Sequence, residues 1–170
     1  MKGISIRNTG LAFFLLLIAG CKVKDKIQET AVISADKKES IDWLLAGDDF
    51  KAWAVESFSI NGEDKLKDMK PCQLDNIDCY YRNQIYESRE GNSRCNETDP
   101  ELISRGKWTL NADSTAIDVK LGSRIHTLQI ISLTKNKLHY RSSVNKQTTE
   151  AVLVATDYMP VNTEKKDTNR

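Results

Sequence analysis

From Trp53 to Thr156 the apolar residues recur mainly at every second position, the period of a β-strand whose two faces meet different surroundings. In 107–112, Trp108, Leu110 and Ala112 share one face and Lys107, Thr109 and Asn111 the other. In 115–121, Thr115, Ile117, Val119 and Leu121 oppose Ala116, Asp118 and Lys120, and the intervening Asp113-Ser114 reads as a hairpin connection. In 137–144, Leu138 and Tyr140 oppose Lys137, His139 and Arg141, after a turn at Lys135-Asn136. Two stretches lose the rhythm. Trp53 and Val55 share a face, but Phe58 and Ile60 fall on the other. Leu128 and Ile130 share a face, while Ile131 and Leu133 fall opposite. A bulge, or burial on both faces, accounts for either shift. Adding 77–81, 84–88 and 150–156 gives about eight short strands, whose spacing suits an antiparallel up-and-down meander closed into a barrel without exposed edges. Ser40 as N-cap and Gly47 as stop bracket a short helix over 41–45. The expected fold class is therefore all-β, an up-and-down β-barrel with a short N-terminal helix.

The start of the chain has a different character. Lys2 and Arg7 precede the unbroken apolar run Leu11 to Ile18, which is shorter than the roughly 20 residues a mature membrane-spanning helix requires. It fits the apolar core of a secretory signal peptide. The run ends in Ile18-Ala19-Gly20-Cys21, where small residues let the backbone enter a peptidase extended. This stretch resembles the bacterial lipobox, which implies cleavage before Cys21 and a diacylglycerol group, with acyl chains such as palmitate, on its thiol. An ordinary signal peptide with an incidental cysteine is the competing reading. Two or more acyl chains give stable anchoring where one holds only marginally. Lys22 follows the cysteine, and the absence of an aspartate there favours the outer membrane, facing either the periplasm or the outside.

The expected organisation is a signal peptide over 1–20, a lipidated flexible tether over 21–39, a barrel domain over 40–160 and a disordered polar tail over 161–170. Removing 20 residues from 170 leaves 150, enough for one domain with a true core. Removing Lys2 and Arg7 from the 25 basic residues leaves 23 against 24 acidic ones. So even a balance gives no electrostatic case for nucleic acid. With Cys21 lipidated, Cys72, Cys79 and Cys95 remain, and three thiols in an exported chain allow one bridge in any of three pairings. No pair has C-x-x-C spacing, which disfavours a zinc knuckle or a thioredoxin-like site.

Four features together resemble the lipocalin-like lipoproteins of Bacteroidetes-type bacteria. They are Leu44-Leu45-Ala46-Gly47 followed by Lys51-Ala52-Trp53; Cys72-Gln73-Leu74-Asp75-Asn76; Gly91 followed by Cys95; and the strands Gly106-Lys107-Trp108-Thr109-Leu110 and Leu128-Gln129-Ile130-Ile131-Ser132-Leu133, with Leu138 after them. The match covers residues 41–156 by order and spacing. It implies a lipocalin-like barrel and a Cys72–Cys95 disulfide, which would contribute about 3 kcal/mol by constraining the unfolded chain. Cys79 departs from the two-cysteine pattern. It alternates with Ile77 and Tyr81 and reads as a buried, inert thiol, against a reactive or intermolecular one.

Signatures of catalysis are few. The chain has no G-x-S-x-G, no H-E-x-x-H and no phosphate-cradling glycine loop. His139, between Lys137 and Arg141, reads as a solvated surface residue. His126 shares a face with Leu128 and Ile130 and would point into a barrel mouth beside Arg124; a structural histidine is the simpler reading than a catalytic base. Asp75 and Asp78 read as a solvated turn rather than a calcium loop. Trp43, Trp53 and Trp108 read as core, with a ligand-cavity lining as the alternative. Asn96-Glu97-Thr98 and Asp113-Ser114-Thr115 match glycosylation triplets, and both read as ordinary turns. No cofactor, metal or catalytic residue is expected.

The leading expectation is a binding or carrier module for a small apolar molecule, its cavity lined by Trp53, Trp108, His126 and Tyr140. The alternative is a structural or interaction component of the cell envelope with a protein partner. An enzyme is the least supported reading, since no nucleophile is paired with a base.

Overall fold

The computed structural model describes residues 39–159 together with the backbone of Val32–Ile33. The expected signal peptide, the lipidation site Cys21, most of the 21–39 tether and the 161–170 tail lie outside the described residues. The described strands are β1 (Val32–Ile33), β2 (Phe50–Ile60), β3 (Glu63–Asp64), β4 (Ile77–Tyr81), β5 (Ile85–Arg89), β6 (Leu102–Leu110), β7 (Ala116–Leu121), β8 (Arg124–Leu133), β9 (Lys137–Val144) and β10 (Gln147–Thr156). Two short helices, α1 (Ile41–Ala46) and α2 (Pro71–Leu74), and a 3-10 turn at Leu66–Asp68 complete the secondary structure. Eight strands, β2 and β4 to β10, form a closed antiparallel barrel of lipocalin-like, up-and-down order. Each pairs with the next, and β10 returns to β2, setting Trp53 beside Ala155. β3 only folds back on β2, through the turn Asn61-Gly62, where both residues have positive φ. Within the segment expected to be a free tether, β1 lies parallel to β8 at Ser132 and Leu133, past the last β7 pairing at Gln129. That stretch of backbone satisfies an edge that β7 leaves open.

Both breaks in the alternation are bulges. Ala151 faces Phe58 and Leu153 faces Val55, so Val55 and Phe58 point the same way across an extra residue of β2. Tyr140 faces Ile130 and Leu138 faces Leu133, so an extra residue at Ile131 keeps Ile130 and Leu133 on one face. The inserted residue absorbs the phase shift, and the apolar face stays turned to the interior along both strands.

α1 closes one end of the barrel. Ser40 holds the N-cap position in extended backbone, but its hydroxyl bonds the Asp42 carboxylate rather than capping the helix. Gly47 ends the helix at φ 65°, a left-handed conformation open to glycine without a Cβ penalty. Leu44, Leu45 and Ala46 are fully buried against Trp53, Trp108, Ile117, Leu133, Leu138 and Leu153. Polar bonds fix the helix there: the Trp53 indole donates to Leu45 O at 2.9 Å, and Lys51 Nζ donates to Leu44 O and to Lys135 O at 3.1 Å. Lys51 also sits 5.4 Å from the Trp43 ring and 5.2 Å from the Trp53 ring, a cation over two aromatic faces.

A second, smaller core lies outside the barrel wall. Ala52, Ile77 and Cys79 are buried there beneath Phe50, Ala54, Tyr81 and Tyr158. Beside it Arg89 donates to Glu87 at 2.7 Å and to Glu101 at 3.0 Å, while the Tyr81 hydroxyl donates to Glu87 at 2.9 Å. Cys72 and Cys95 are disulfide-bonded, with Cα atoms 5.2 Å apart. Gly91 passes so close to the Asp75 backbone that a Cβ would overlap the Asp75 carbonyl oxygen. This explains a glycine four residues before Cys95. Asp75 Oδ2 then accepts from Ser93 N at 2.8 Å and Ser93 Oγ at 2.7 Å, so the disulfide loop is pinned at several points.

Candidate functional site

Core side chains fill the interior beside α1, and beyond them the barrel keeps a small, partly open hollow. The hollow is a cavity of about 200 Å³ lined by Asp78, Tyr80, Tyr86, Val119, Leu121, His126, Leu128 and Tyr140. Strand alternation delivers these side chains. Asp78 and Tyr80 are two apart on β4, and Tyr80 is directly paired with Tyr86 of β5. Val119 of β7 is paired with His126 of β8, and Leu128 is two residues further on the same face. Tyr140 of β9 completes the wall opposite Ile130.

Asp78 is the unusual member. It lies deep within the protein, and the accessible surface it keeps faces the cavity. Its Oδ1 accepts from the Tyr86 hydroxyl at 2.7 Å, and Ser88 supplies a second hydrogen bond. Burial raises the Asp78 pKa, and these two hydrogen bonds offset only part of that rise. Burial likewise raises Tyr80, Tyr86 and Tyr140, with the Asp78 charge adding to each, so all three phenols stay neutral. Tyr80 meets Tyr86 edge-on at 5.2 Å between ring centroids and Trp108 at 6.0 Å, which packs the aromatic wall against the filled part of the barrel.

The structure divides the expected cavity residues. His126 and Tyr140 line the cavity. Trp53 and Trp108 do not. They are 1% and 3% exposed, and each indole N–H is spent on a carbonyl, Leu45 O and Tyr81 O respectively. Both belong to the filled part, where a large ring with a satisfied N–H stabilises more than a wall facing a void. His139 is not a free surface residue: Nε2 lies 2.8 Å from Glu150 Oε1, and Arg141 donates to Oε2 of the same carboxylate at 2.9 Å. Asp75 and Asp78 do not form one solvated turn. Asp75 anchors the disulfide loop, and Asp78 points into the barrel. Asp78, Tyr80, Tyr86, Val119, Leu121 and Leu128 were missed as lining residues. The signal for the first two was present, since Asp78 and Tyr80 share the face opposite Ile77, Cys79 and Tyr81.

Chemically, the cavity offers one carboxylate, one imidazole, three phenols and an aliphatic wall. Among the described residues no hydrogen bond joins His126 to Asp78, and no three His, Cys, Asp or Glu side chains gather as a metal site. A larger hollow of about 580 Å³, bordered by Asp48, Lys51, Thr156, Tyr158 and Met159, is a more open depression outside the barrel. Among the described residues no helix is long and apolar enough to cross a membrane. No family model and no curated protein matches this chain.

Proposed function

We propose that this chain is a membrane-anchored binding or carrier module that takes one small molecule into its barrel. In this reading it is a lipoprotein of the lipocalin-like type, lipidated at Cys21 and held at the outer membrane. The cavity of about 200 Å³ inside a closed barrel is the observation that carries it. A barrel of eight strands has room either to fill its interior with side chains or to hold one small ligand. Here side chains fill the interior next to α1, and the hollow lined by Asp78 and Tyr140 is the space for a ligand. The volume is below the roughly 300–1,000 Å³ of sites for drug-sized ligands, so the occupant is small.

Native mass spectrometry of the protein, extracted gently from its own envelope without denaturation, tests this reading. A reproducible extra mass of small-molecule size supports it. A bare protein mass, together with reproducible crosslinking to one envelope protein in intact cells, would replace it with the interaction reading. Anchoring is tested separately: Cys21→Ser should move the protein from the membrane to the soluble fraction.

A further inference from the structure

Resting on the proposed small-molecule role, the chemistry of the cavity narrows the ligand. Among the described residues, the lining holds one acidic side chain, Asp78, and no lysine or arginine. An apolar ligand would leave that carboxylate facing a dry wall without a counter-charge, an arrangement that costs the complex. An anionic ligand would add a second negative charge beside it. A cation resolves both problems. Asp78 supplies the opposite charge, and Tyr140, less buried than Tyr80 and Tyr86 in the same lining, brings an aromatic ring of the kind that attracts ammonium groups. The Tyr86 hydroxyl holds Asp78 Oδ1 at 2.7 Å and Ser88 supplies a second hydrogen bond, so the carboxyl group is fixed before a ligand arrives. Val119, Leu121 and Leu128 line the same cavity with hydrocarbon suited to an apolar body.

We infer that the barrel binds a small organic monocation, a protonated amine or a quaternary ammonium, with its charged nitrogen at Asp78 among Tyr80, Tyr86 and Tyr140 and its apolar part against Val119, Leu121 and Leu128. The ligand's charge replaces the water that Asp78 loses on burial. His126, in the same wall, offers an imidazole to a polar group on the ligand.

Calorimetric titration of the purified protein with three matched probes tests this: 2-phenylethylamine, its neutral analogue 2-phenylethanol, and anionic 3-phenylpropanoate. The amine should bind on the order of tenfold to a hundredfold more tightly than the alcohol, the scale of a charge-assisted bond over a neutral one. The carboxylate should bind most weakly. Asp78→Asn should remove the amine's advantage over the alcohol. The comparison of probes on the wild-type protein stands whether or not that variant folds. Equal or tighter binding of the alcohol or the carboxylate overturns the inference while leaving the small-molecule role intact. Silence from all three probes overturns the inference as well. The native mass measurement then decides the broader role by itself, and an extra mass belonging to a neutral or acidic compound would count against a cation.

Discussion

The Tyr86 hydroxyl donates to the Asp78 carboxylate at 2.7 Å inside the barrel, two groups that a plain hydrophobic core would replace with hydrocarbon. Burial raises the Asp78 pKa, so the folded protein holds that proton more tightly than the unfolded chain. Stability from this group is fully present below the ordinary carboxyl value of 3.8 and is lost as pH rises through the raised one. Asp78 shares the cavity with Tyr80 of its own strand, Tyr86 of β5, His126 of β8 and Tyr140 of β9, and Ser88 of β5 bonds to it. The unliganded Asp78→Asn protein should therefore be more stable than wild type near neutral pH, by about 0.5–2 kcal/mol, the usual scale for relieving a functional-site cost. Urea denaturation between pH 4 and 8 checks this. A variant that is less stable at pH 7 would mean that Asp78 is structural.

On the outer surface the sign reverses. Hydrogen bonds from Arg141, then from His139, lower the Glu150 pKa below its ordinary 4.5. The resulting stability is present above that value and fades as pH falls through the lowered one. Glu150 keeps 35% of its side-chain surface exposed, so solvent screens the pair and the effect stays below about 1 kcal/mol. Glu150→Gln should lower stability at pH 7 by less than about 1 kcal/mol and converge with wild type in acid, flattening the acid limb of the profile below about pH 4.5. Acid titration of wild type and variant, followed by circular dichroism, measures it.

The disulfide ties α2 to the loop before β6. Replacing Cys72 and Cys95 together with serine should cost about 3 kcal/mol through the freed unfolded chain. Reduction of the wild-type protein should lower its melting temperature to a similar extent. Because Asp75, Ser93 and Gly91 hold the same loop by other contacts, the barrel should keep its far-ultraviolet spectrum in the variant. Loss of that spectrum would show that the loop is required for closure of the barrel.

Cys79 is 0% exposed, and burial pushes its thiol up to about 12. A thiol so buried and so little ionised is a poor nucleophile. Peptide mapping after treatment with a maleimide at pH 8 should find Cys79 unlabelled in the folded protein and labelled after denaturation. Rapid labelling of the native protein would restore the reactive-thiol reading.

Much of the barrel was legible in the alternation itself. The residues 137–144 were bounded as they stand, and the two phase breaks at Phe58 and Ile131 announced the bulges that the pairings with Ala151 and Tyr140 reveal. The turn at Asn61-Gly62 carried the usual short-hairpin dipeptide and was overlooked, because the strand that follows it has only two residues. Asp78 was harder to place. Ile77, Cys79 and Tyr81 read as the core-facing side of their strand, and they are indeed packed, but against Phe50, Ala54 and Tyr158 on the outside of the barrel. Periodicity separates two faces without saying which is interior when both are covered. The polar residue of the alternation was therefore assigned to water, when its strand neighbours had already claimed the outer side. His139 was misread for a related reason: its partner Glu150 lies on another strand and is invisible to local spacing.

The pairing of Trp53 with Ala155 joins positions about a hundred residues apart, so the ring of strands has no smaller complete form. A chain emerging from its N-terminus presents inward-facing leucines and tyrosines to its surroundings until β10 has arrived. The entropy of bringing the ends together falls due before the last contacts reward it. Folding is thus delayed to the end of chain delivery, and any assisting factor would act on a nearly finished polypeptide rather than on its early strands.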